Sequence, residues 1–303
     1  MDLAGRIGGL GLEGSFEERV PLAGLTSYQI GGPAELLVEP ASIADAEKVV
    51  GEVHRAGVPL TVIGAGSNVL VSDEGLEGVV MRVGARMGGI AIDAGVITAG
   101  AGVSDRDLAH AAARAGITCF EFLEDIPGSL GGGLVQNAEA WGDAISDHLV
   151  DVTVVDATGR VVTYPARELE FGYRDSTFKR AGDLVIVEAR FAPGGRAEPS
   201  DIMSRMDELR ARRHARYPLD HPSCGSVFKR PEGDYAGRLI EVAGLGGTRV
   251  GDACVSRLHH NFIVNLGGAT ARDVRTLVEQ VQQVVHDRFG VHLERELVYL
   301  GPA

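Results

Sequence analysis

Cysteine is scarce in this chain of 303 residues, and its three copies, Cys119, Cys224 and Cys254, form no CxxC pair. An odd number of scattered thiols argues against a disulfide framework and favours a reducing compartment such as the cytoplasm. The histidines supply no ligand set either, because His259 and His260 are adjacent and no third ligand lies at a recognisable spacing. The sequence therefore predicts no metal site.

Basic residues and long apolar runs are also few. Lys and Arg number 29 against 42 Asp and Glu, which gives a formal net charge of -13. Binding to nucleic acid or to an anionic membrane rests on a basic surface, so this balance argues against both classes of partner. No transmembrane run and no signal peptide is recognisable in the sequence. We expect a cytoplasmic protein without membrane insertion.

Glycine and aliphatic residues are abundant instead. Hydrophobic residues make up 45% of the chain, which is enough to bury a large core. The 42 glycines are about twice the usual share of roughly 7%. Because they are dispersed without a period, they indicate tight turns or close approach of the backbone to a ligand.

Helical and extended patterns alternate along the first two thirds of the chain. Capped helices are predicted at 41–57, after Ser42, and at 104–116, after Ser104. A hairpin is predicted at 150–165, with its turn near Thr158. Further strands are expected at 60–71, 77–82, 96–103 and 183–191.

The composition changes at 192–200, where APGGRAEPS indicates a domain boundary. Beyond it the pattern predicts two helices and a final alternating strand, at 200–218, 270–290 and 291–301. The sequence therefore predicts an α+β fold with two domains, residues 1–195 and 196–303.

Two glycine-rich segments carry the polar groups expected of a nucleotide site. The first, Gly64, Ala65, Gly66, Ser67 and Asn68, follows a predicted strand. Backbone amides beside glycine can cradle a diphosphate. No helix is predicted after these glycines, so the pattern is not a dinucleotide-binding fingerprint of the common type. A plain glycine turn is the alternative.

The second segment, which we expect to be a loop, is EDIPGSLGGGLVQNAEAWGD, residues 124–143. Its glycines would let the backbone approach a flat or phosphorylated ligand, and Gln136 adds an amide side chain. A surface loop is the alternative, but two such segments in one α/β unit favour a ligand site. The residues predicted to bind the ligand here are Pro127, Gly128, Ser129, Gly131, Gly132 and Asn137.

Six motifs, in this order, resemble the MurB family of UDP-N-acetylenolpyruvoylglucosamine reductases. They are LTSYQIGGPAELLVEP, IGAGSNVLVSDEGLEGVV, IPGSLGGG, FGYRDSTFK, GSVFKRP and LERELVYLG, and they span about residues 20–301. The C-terminal region resembles the shorter form of the family. The resemblance implies an FAD-binding unit of the vanillyl-alcohol-oxidase (PCMH) type with two subdomains, followed by an α+β substrate domain. It also implies non-covalent FAD, with its diphosphate against residues 64–68.

The resemblance implies a reaction in two halves. NADPH reduces the flavin, and the enolpyruvyl ether of UDP-N-acetylglucosamine enolpyruvate, a nucleotide sugar, then takes a hydride at C3 and a proton at C2. By their positions in the motifs, Ser226 is the expected proton donor, and Arg174 and Glu296 stabilise the enolate-like intermediate. The expected substrate-binding residues are Tyr173, Lys229, Arg230 and His259. We expect a monomer or a weak dimer.

Each catalytic assignment has a structural alternative. Ser226 could be a turn hydroxyl, and Arg174 could form a structural ion pair with Asp175 or another acid. Glu294 is a rival to Glu296, because it lies two residues earlier on the same face of the predicted strand. The register of the family motif favours Glu296.

Several positions depart from the family's pattern. Arg230 stands where asparagine is usual, and Leu258 and Val298 stand where cations are usual. Glu139 and Trp141 replace a glycine and a tyrosine. These departures leave open a related flavin reductase that acts on a different enolpyruvyl or unsaturated acid. A flavin-binding protein without turnover is a further alternative, against which the three retained catalytic residues argue.

Overall fold

A computed structural model describes residues 3–302, which form two compact units. The first unit comprises the chain up to Arg19 with Glu35–Ala65 and Glu77–Arg212, and the second comprises Val20–Ala34, Gly66–Leu76 and the chain from Arg213. Two N-terminal segments thus belong with the C-terminal third of the chain. The predicted division into a cofactor domain, residues 1–195, and a substrate domain, residues 196–303, stays a prediction.

All four predicted helices are confirmed, as α2, α3, α6 and α8. The helices among the described residues are α1 (Leu3–Gly8), α2 (Ile43–Ala56), α3 (Asp105–Arg114), α4 (Leu130–Gln136), α5 (Thr177–Ala181), α6 (Pro199–His214), α7 (Ala236–Val242) and α8 (Ala271–Phe289). Ser42 and Ser104 cap α2 and α3 as predicted, and Thr270 forms a capping box with Asp273 at the start of α8. In residues 3–302 no helix is long and apolar enough to cross a membrane.

The strands are short and mostly antiparallel. In the N-terminal half they are β1 (Ser15–Pro21), β2 (Pro33–Glu39), β3 (Leu60–Ile63), β4 (Val69–Val71), β5 (Leu76–Arg82), β6 (Ile90–Asp93), β7 (Val96–Gly100), β8 (Ile117–Thr118), β9 (Glu139–Ala140), β10 (Asp143–Ala144) and β11 (Leu149–Val155). The remainder are β12 (Val161–Pro165), β13 (Phe171–Gly172), β14 (Asp175–Ser176), β15 (Val185–Phe191), β16 (Gly195–Arg196), β17 (Arg249–Val250), β18 (Ala253–Val255), β19 (Ile263–Asn265) and β20 (Val298–Leu300).

The first unit is built around two sheets, with strand orders β1-β2-β5-β3 and β12-β11-β15-β7-β6. The predicted hairpin is β11-β12, and Gly159 in its turn has a φ of 86°, which favours glycine. The buried stripes of α2 and α3 join the sheets in one core, to which Val50, Leu108 and Val152 contribute. Leu130 and Leu134 of the second glycine-rich segment are also part of this core.

The second unit has its own core and its own small sheets. A three-stranded antiparallel sheet has the order β17-β18-β19, and β20 pairs in parallel with β4. The predicted inward face of α8, including Val274, Leu277 and Val281, is fully buried in this core. Helices and mainly antiparallel sheets in both units make the fold α+β, as predicted.

Three local predictions were wrong. The strand predicted at 60–71 is two strands, β3 and β4, which belong to different sheets because the glycine-rich segment interrupts it. The strand predicted at 291–301 is confined to Val298–Leu300, because the amides before it bond to a loop: Glu296 donates to the Val227 carbonyl at 2.8 Å. The segment expected to be a loop at 124–143 contains α4, although glycine is a poor helix former. Burial of Leu130 and Leu134 on one side of α4 offsets that poor propensity.

Candidate active site

In the first unit, Gly64 and Ser129 come together from the two glycine-rich segments. A Cβ on Gly64 would lie 2.2 Å from the Ser129 Oγ atom, so a side chain at position 64 would displace the Ser129 hydroxyl from its position. Ser129 is buried, and its hydroxyl has no hydrogen-bond partner among residues 3–302. A buried hydroxyl without a protein partner indicates a polar ligand or a water at this point.

Backbone hydrogen bonds fix the segment around Ser129. Ser129 precedes α4, and the next two amides donate to the carbonyls of Val103 and Ala101, both at 2.9 Å. The Gly128 carbonyl in turn accepts from the Asp105 amide at 3.3 Å. Residues 128–132, which include the predicted cofactor residues Gly128, Ser129, Gly131 and Gly132, therefore form a rigid ledge beside the start of α3. Gly132 is exposed, as is the predicted residue Pro127 before the ledge.

Asn137 ends α4 in the left-handed conformation, with a φ of 46°. Its side-chain amide donates to the Gly172 carbonyl at 3.0 Å, which ties α4 to the segment that carries Tyr173 and Arg174. Its buried Oδ1 accepts no hydrogen bond from the described residues. Asn137, which was predicted to contact the ligand, thus has an acceptor atom available for it.

The division between the units falls inside the first glycine-rich segment, after Ala65. In the second unit, Gly66 has a φ of 65°, and a Cβ there would lie 2.2 Å from the Leu25 carbonyl oxygen. The Ser27 amide also donates to the Gly66 carbonyl at 3.0 Å. Ser67 lies half-buried in the following turn. Glycine is thus required here for backbone packing, which accounts for part of the motif.

Asn68 connects this segment to a predicted catalytic residue. Its side-chain amide donates to the Glu296 carbonyl at 3.2 Å, and the Val298 amide donates to the Asn68 carbonyl at 3.1 Å. Asn68 was predicted to contact the cofactor. Its side-chain amide holds the segment of Glu296.

Ser226 lies half-buried on a segment that is fixed on both sides. Gly225 before it has a φ of 82°, and Asn261 holds the two residues after it. The Asn261 carbonyl accepts from the Val227 amide at 2.8 Å, and its side chain binds both the amide and the carbonyl of Phe228, at 3.0 and 2.8 Å. The buried Asn261 therefore fixes the backbone directly after Ser226.

The structure brings Ser226 and Glu296 together within the second unit. The carbonyl of Val227, directly after Ser226, accepts the amides of Glu296 and Leu297 at 2.8 and 3.3 Å. The Cys224 thiol has its pKa raised to about 12, first by burial and further by the negative charge of Glu296. The Glu296 carboxylate thus interacts electrostatically with Cys224, two residues before Ser226.

Glu294, the rival acid, has a different partner. Its carboxylate is exposed and pairs with the Lys229 ammonium at 2.5 Å, and its carbonyl accepts the Lys229 amide at 2.8 Å. The half-buried position of Glu296 beside the Ser226 segment favours Glu296 for the catalytic role. Lys229, predicted to bind substrate, is held by this pair.

Arg174 and Tyr173 belong to the first unit. Arg174 has a φ of 55°, a left-handed conformation that is unfavourable for a residue with a Cβ. Its guanidinium lies 5.1 Å from the centre of the Tyr173 ring, and its Nη2 donates to the Glu139 carbonyl at 3.4 Å. Its neighbour Asp175 forms an ion pair with Arg180.

His259 and Arg230, two predicted substrate residues, both lie against aromatic rings. The His259 ring stacks on Tyr217 with centroids 5.1 Å apart, and burial lowers the pKa of this imidazole, which therefore favours the neutral form. The guanidinium of Arg230 lies 4.8 Å from the centre of the Tyr235 ring. Leu258, where a cation is usual, is 58% exposed.

Two residues that hold this site were missed by sequence reasoning. Asn261 could have been noticed as a polar residue in an otherwise apolar run, NFIV, because a buried amide needs partners. Lys179 lies inside the FGYRDSTFK motif, but its contact with the Arg174 carbonyl depends on the turn between them. Within residues 3–302, no group of three or more His, Cys, Asp or Glu side chains is arranged to hold a metal ion.

Comparison with known proteins adds family information to this geometry. Residues 217–300 match the family model described as UDP-N-acetylenolpyruvoylglucosamine reductase, C-terminal domain. Residues 34–164 match the model described as FAD binding domain. These two matches cover the segments that carry most of the predicted site residues.

Whole-chain relatives give the same result. The chain is 43% identical over 290 residues to UDP-N-acetylenolpyruvoylglucosamine reductase 2 of Symbiobacterium thermophilum, covering 95% of this chain and 93% of the relative. It is 41% identical to UDP-N-acetylenolpyruvoylglucosamine reductase of Agathobacter rectalis, covering 95% and 97% of the two chains. The crystal structure of UDP-N-acetylenolpyruvylglucosamine reductase (MurB) from Thermus caldophilus superposes with a TM-score of 0.80 at 35% identity, covering 95% of this chain and all of that one.

Proposed function

The chain belongs to the UDP-N-acetylenolpyruvoylglucosamine reductase family, and on that premise we propose its reaction and the residues that perform it. It is an FAD-dependent oxidoreductase that uses NADPH to reduce the enolpyruvyl ether of UDP-N-acetylglucosamine enolpyruvate to UDP-N-acetylmuramate, in the synthesis of peptidoglycan precursors. The observation that carries this function is the identity of 43% over 95% of the chain, together with the backbone hydrogen bonds that tie Glu296 and Leu297 to the carbonyl of Val227, directly after Ser226.

The residues of the first unit fit an FAD molecule. The buried Ser129 hydroxyl and the Asn137 Oδ1 atom lack partners among the described residues, and glycine at position 64 keeps the space before Ser129 open. These atoms suit the polar parts of a dinucleotide. When bound, FAD supplies the redox chemistry by which a hydride passes from NADPH to the substrate. We propose that the ledge at 128–132 and the segment at 64–68 hold it non-covalently.

Ser226 is proposed to deliver the proton to C2 of the substrate. An alcohol is a weak acid at its ordinary pKa, so it can act only if its hydroxyl is held within hydrogen-bond reach of the developing charge. The anchoring of Val227 and Phe228 by Asn261 supports that role, because it fixes the backbone on which Ser226 stands.

Arg174 and Glu296 are proposed to act at the carboxylate end of the substrate. A guanidinium stays charged at all working pH values and suits a carboxylate whose negative charge grows during reduction. The left-handed backbone of Arg174 supports a functional role, because strained residues persist where the surrounding structure fixes them. Tyr173, Lys229, Arg230 and His259 are proposed to bind the nucleotide sugar.

We also propose a cytoplasmic location and a monomer or weak dimer. All three cysteines are free, two of them half-buried, which fits a reducing compartment. Light scattering after gel filtration tests the oligomeric state, and fractionation of cells tests the location.

Anaerobic turnover tests the proposed reaction. The flavin-loaded protein is mixed with NADPH and UDP-N-acetylglucosamine enolpyruvate, and the products are identified by mass spectrometry. We expect UDP-N-acetylmuramate in equal amount to the NADP⁺ formed. Reduction of the flavin without consumption of this nucleotide sugar would contradict the proposal and favour a different unsaturated acid, as the exposed Leu258 and Arg230 would then suggest.

A further inference from the structure

Three residues around one corner of the first unit have left-handed backbones although none is glycine. Their φ angles are 46° at Asn137, 61° at Trp141 and 55° at Arg174. Asparagine adopts this conformation readily at the end of a helix, as Asn137 does, but at Trp141 and Arg174 it persists only where surrounding contacts impose it, and such residues cluster at functional sites. The contacts that impose the conformation of Arg174 can be identified in the structure.

Lys179 holds the backbone of Arg174. Its ammonium donates to the Arg174 carbonyl at 2.9 Å and to the Gln136 Oε1 atom at 2.8 Å. One cation thereby joins the end of α4 to the carbonyl of the strained residue. A hydrogen bond from a charged donor is about twice as strong as one between neutral groups.

Lys179 itself stands on a rigid base. It lies on α5, whose first turn is capped by the fully buried Ser176. The Ser176 hydroxyl also donates to the Val135 carbonyl at 2.7 Å, and Phe178 is buried in the core. On the other side of Arg174, the Asn137 amide holds Gly172. The turn at 172–176 is thus fixed at both ends, with Lys179 closing it.

We propose that Lys179 is a positioning residue for Arg174, and that Gln136 orients Lys179. The inference rests on the proposed function of Arg174, and it adds a requirement for two residues that do not themselves contact the reacting atoms. Without the ammonium, the Arg174 carbonyl loses its charged donor and the backbone can relax to a negative φ. The guanidinium then leaves the position from which it contacts the substrate carboxylate.

The first test compares Lys179→Met with Lys48→Met in the flavin-loaded enzyme. Lys48 is a matched control, because its ammonium also donates to a backbone carbonyl, that of Gly11 at 3.1 Å, on an exposed surface.

We expect Lys179→Met to leave flavin reduction by NADPH unchanged and to slow reoxidation by the substrate about 10²-fold, as a misplacement of about 1 Å does. Lys179→Arg, which keeps a charged donor, should restore part of the rate, and Gln136→Met should slow it less than Lys179→Met. Equal slowing of both half-reactions would overturn the proposal.

A double-mutant cycle then separates positioning from a direct effect. If Lys179 acts through Arg174, adding Lys179→Met to Arg174→Ala changes the reoxidation rate less than about twofold, because the two effects are not additive. An undiminished further loss would overturn the proposal.

Hydrogen exchange distinguishes a failure of this inference from a failure of the proposed function. In the flavin-loaded protein we expect faster amide exchange at 172–176 in Lys179→Met than in the parent, and parent-like exchange there in Lys48→Met. If Arg174→Ala leaves reoxidation unchanged, the proposed role of Arg174 is wrong, and faster exchange would still establish that Lys179 holds the turn. Unchanged exchange in Lys179→Met would overturn the inference whatever the activity of the parent.

Discussion

Asp105, at the first position of α3, carries a carboxyl group in an unusual setting. It is 1% exposed, and its Oδ1 accepts no hydrogen bond from residues 3–302. Burial raises the pKa of this carboxyl to about 7 from an ordinary value of 3.8. Between these two values the folded protein thus keeps a proton on Asp105 that the unfolded chain has already lost.

This setting makes the stability of the protein depend on pH. Between about pH 4 and pH 7 the Asp105 carboxyl binds a proton in the folded state that it has lost in the unfolded state, so its contribution to stability falls as pH rises through that window, by on the order of 1 kcal/mol per unit. Asp105→Asn cannot ionise. We therefore expect it to raise the unfolding temperature of the flavin-loaded protein, relative to the parent, more at pH 8 than at pH 5.

Asp107→Asn is the control for this experiment. Asp107 lies two residues further along the same helix, where it is exposed and receives the Ser104 hydroxyl. Its replacement should change the unfolding temperature by a similar amount at both pH values. If Asp105→Asn also shifted the unfolding temperature equally at pH 5 and pH 8, the raised pKa would be wrong.

At the scale of segments, the backbone of Gly64 lies so close to Ser129 that the proposed cofactor site leaves no room for a side chain between them. Gly64→Ala would place a methyl group 2.2 Å from the Ser129 Oγ atom, and overpacking of this kind costs about 1–3 kcal/mol. We expect FAD to bind at least about tenfold more weakly, measured by fluorescence titration of the flavin-free protein.

A second variant tests whether the hydroxyl causes the clash. In Gly64→Ala/Ser129→Ala the nearest remaining atom of residue 129, its Cβ, lies 3.5 Å from the new methyl, an ordinary contact distance. The double variant should bind FAD more tightly than Gly64→Ala alone. Weaker binding by the double variant would show that the Ser129 hydroxyl matters more as a ligand than as an obstacle.

The segment of Ser226 depends on Asn261 in a similar way. Asn261→Ala leaves the buried amide and carbonyl of Phe228 without their side-chain partner, which costs about 1–3 kcal/mol per unsatisfied group. We expect the free energy of unfolding from urea denaturation to fall by at least that amount. Gln283→Ala removes an exposed amide on α8 and should change it by less than about 0.5 kcal/mol. Equal effects of the two changes would contradict the role of Asn261.

Elements with strong local signals were predictable from the sequence, and elements set by distant contacts were not. Ser42, Ser104 and Thr270 mark the starts of α2, α3 and α8, because a capping side chain and an apolar stripe lie within a few residues. The glycines of α4 concealed a helix that burial of Leu130 and Leu134 maintains.

The candidate site shows the same limit. The residues predicted for it came from motifs, and the structure explains how some are held: the Asn68 side chain and the Val227 carbonyl hold the segment of Glu296. Neither contact is visible in sequence spacing, because the partners are more than 60 residues apart. The hydrogen bond from the Lys179 ammonium to the Arg174 carbonyl was missed for another reason. It forms only because the backbone of Arg174 is left-handed, and the sequence does not indicate that conformation.

At the scale of the whole molecule, the chain forms two units, each with its own core, and each unit contains some of the residues proposed to act in the reaction. The ledge at 128–132 and the turn of Arg174 belong to the first unit, and Ser226 and Glu296 belong to the second. The net charge of -13 makes local cations important for an anionic nucleotide sugar, which gives Lys229 and Arg230 their proposed roles.

The most direct test of the account follows the flavin absorbance of Ser226→Ala in separate anaerobic half-reactions. NADPH should reduce the variant at close to the parent rate, and UDP-N-acetylglucosamine enolpyruvate should reoxidise it about 10²- to 10⁴-fold more slowly, as expected for loss of a general acid. Ser223→Ala, three residues earlier on the same half-buried segment, should behave like the parent in both. Reoxidation of Ser226→Ala at the parent rate would contradict the assignment of Ser226 as the proton donor.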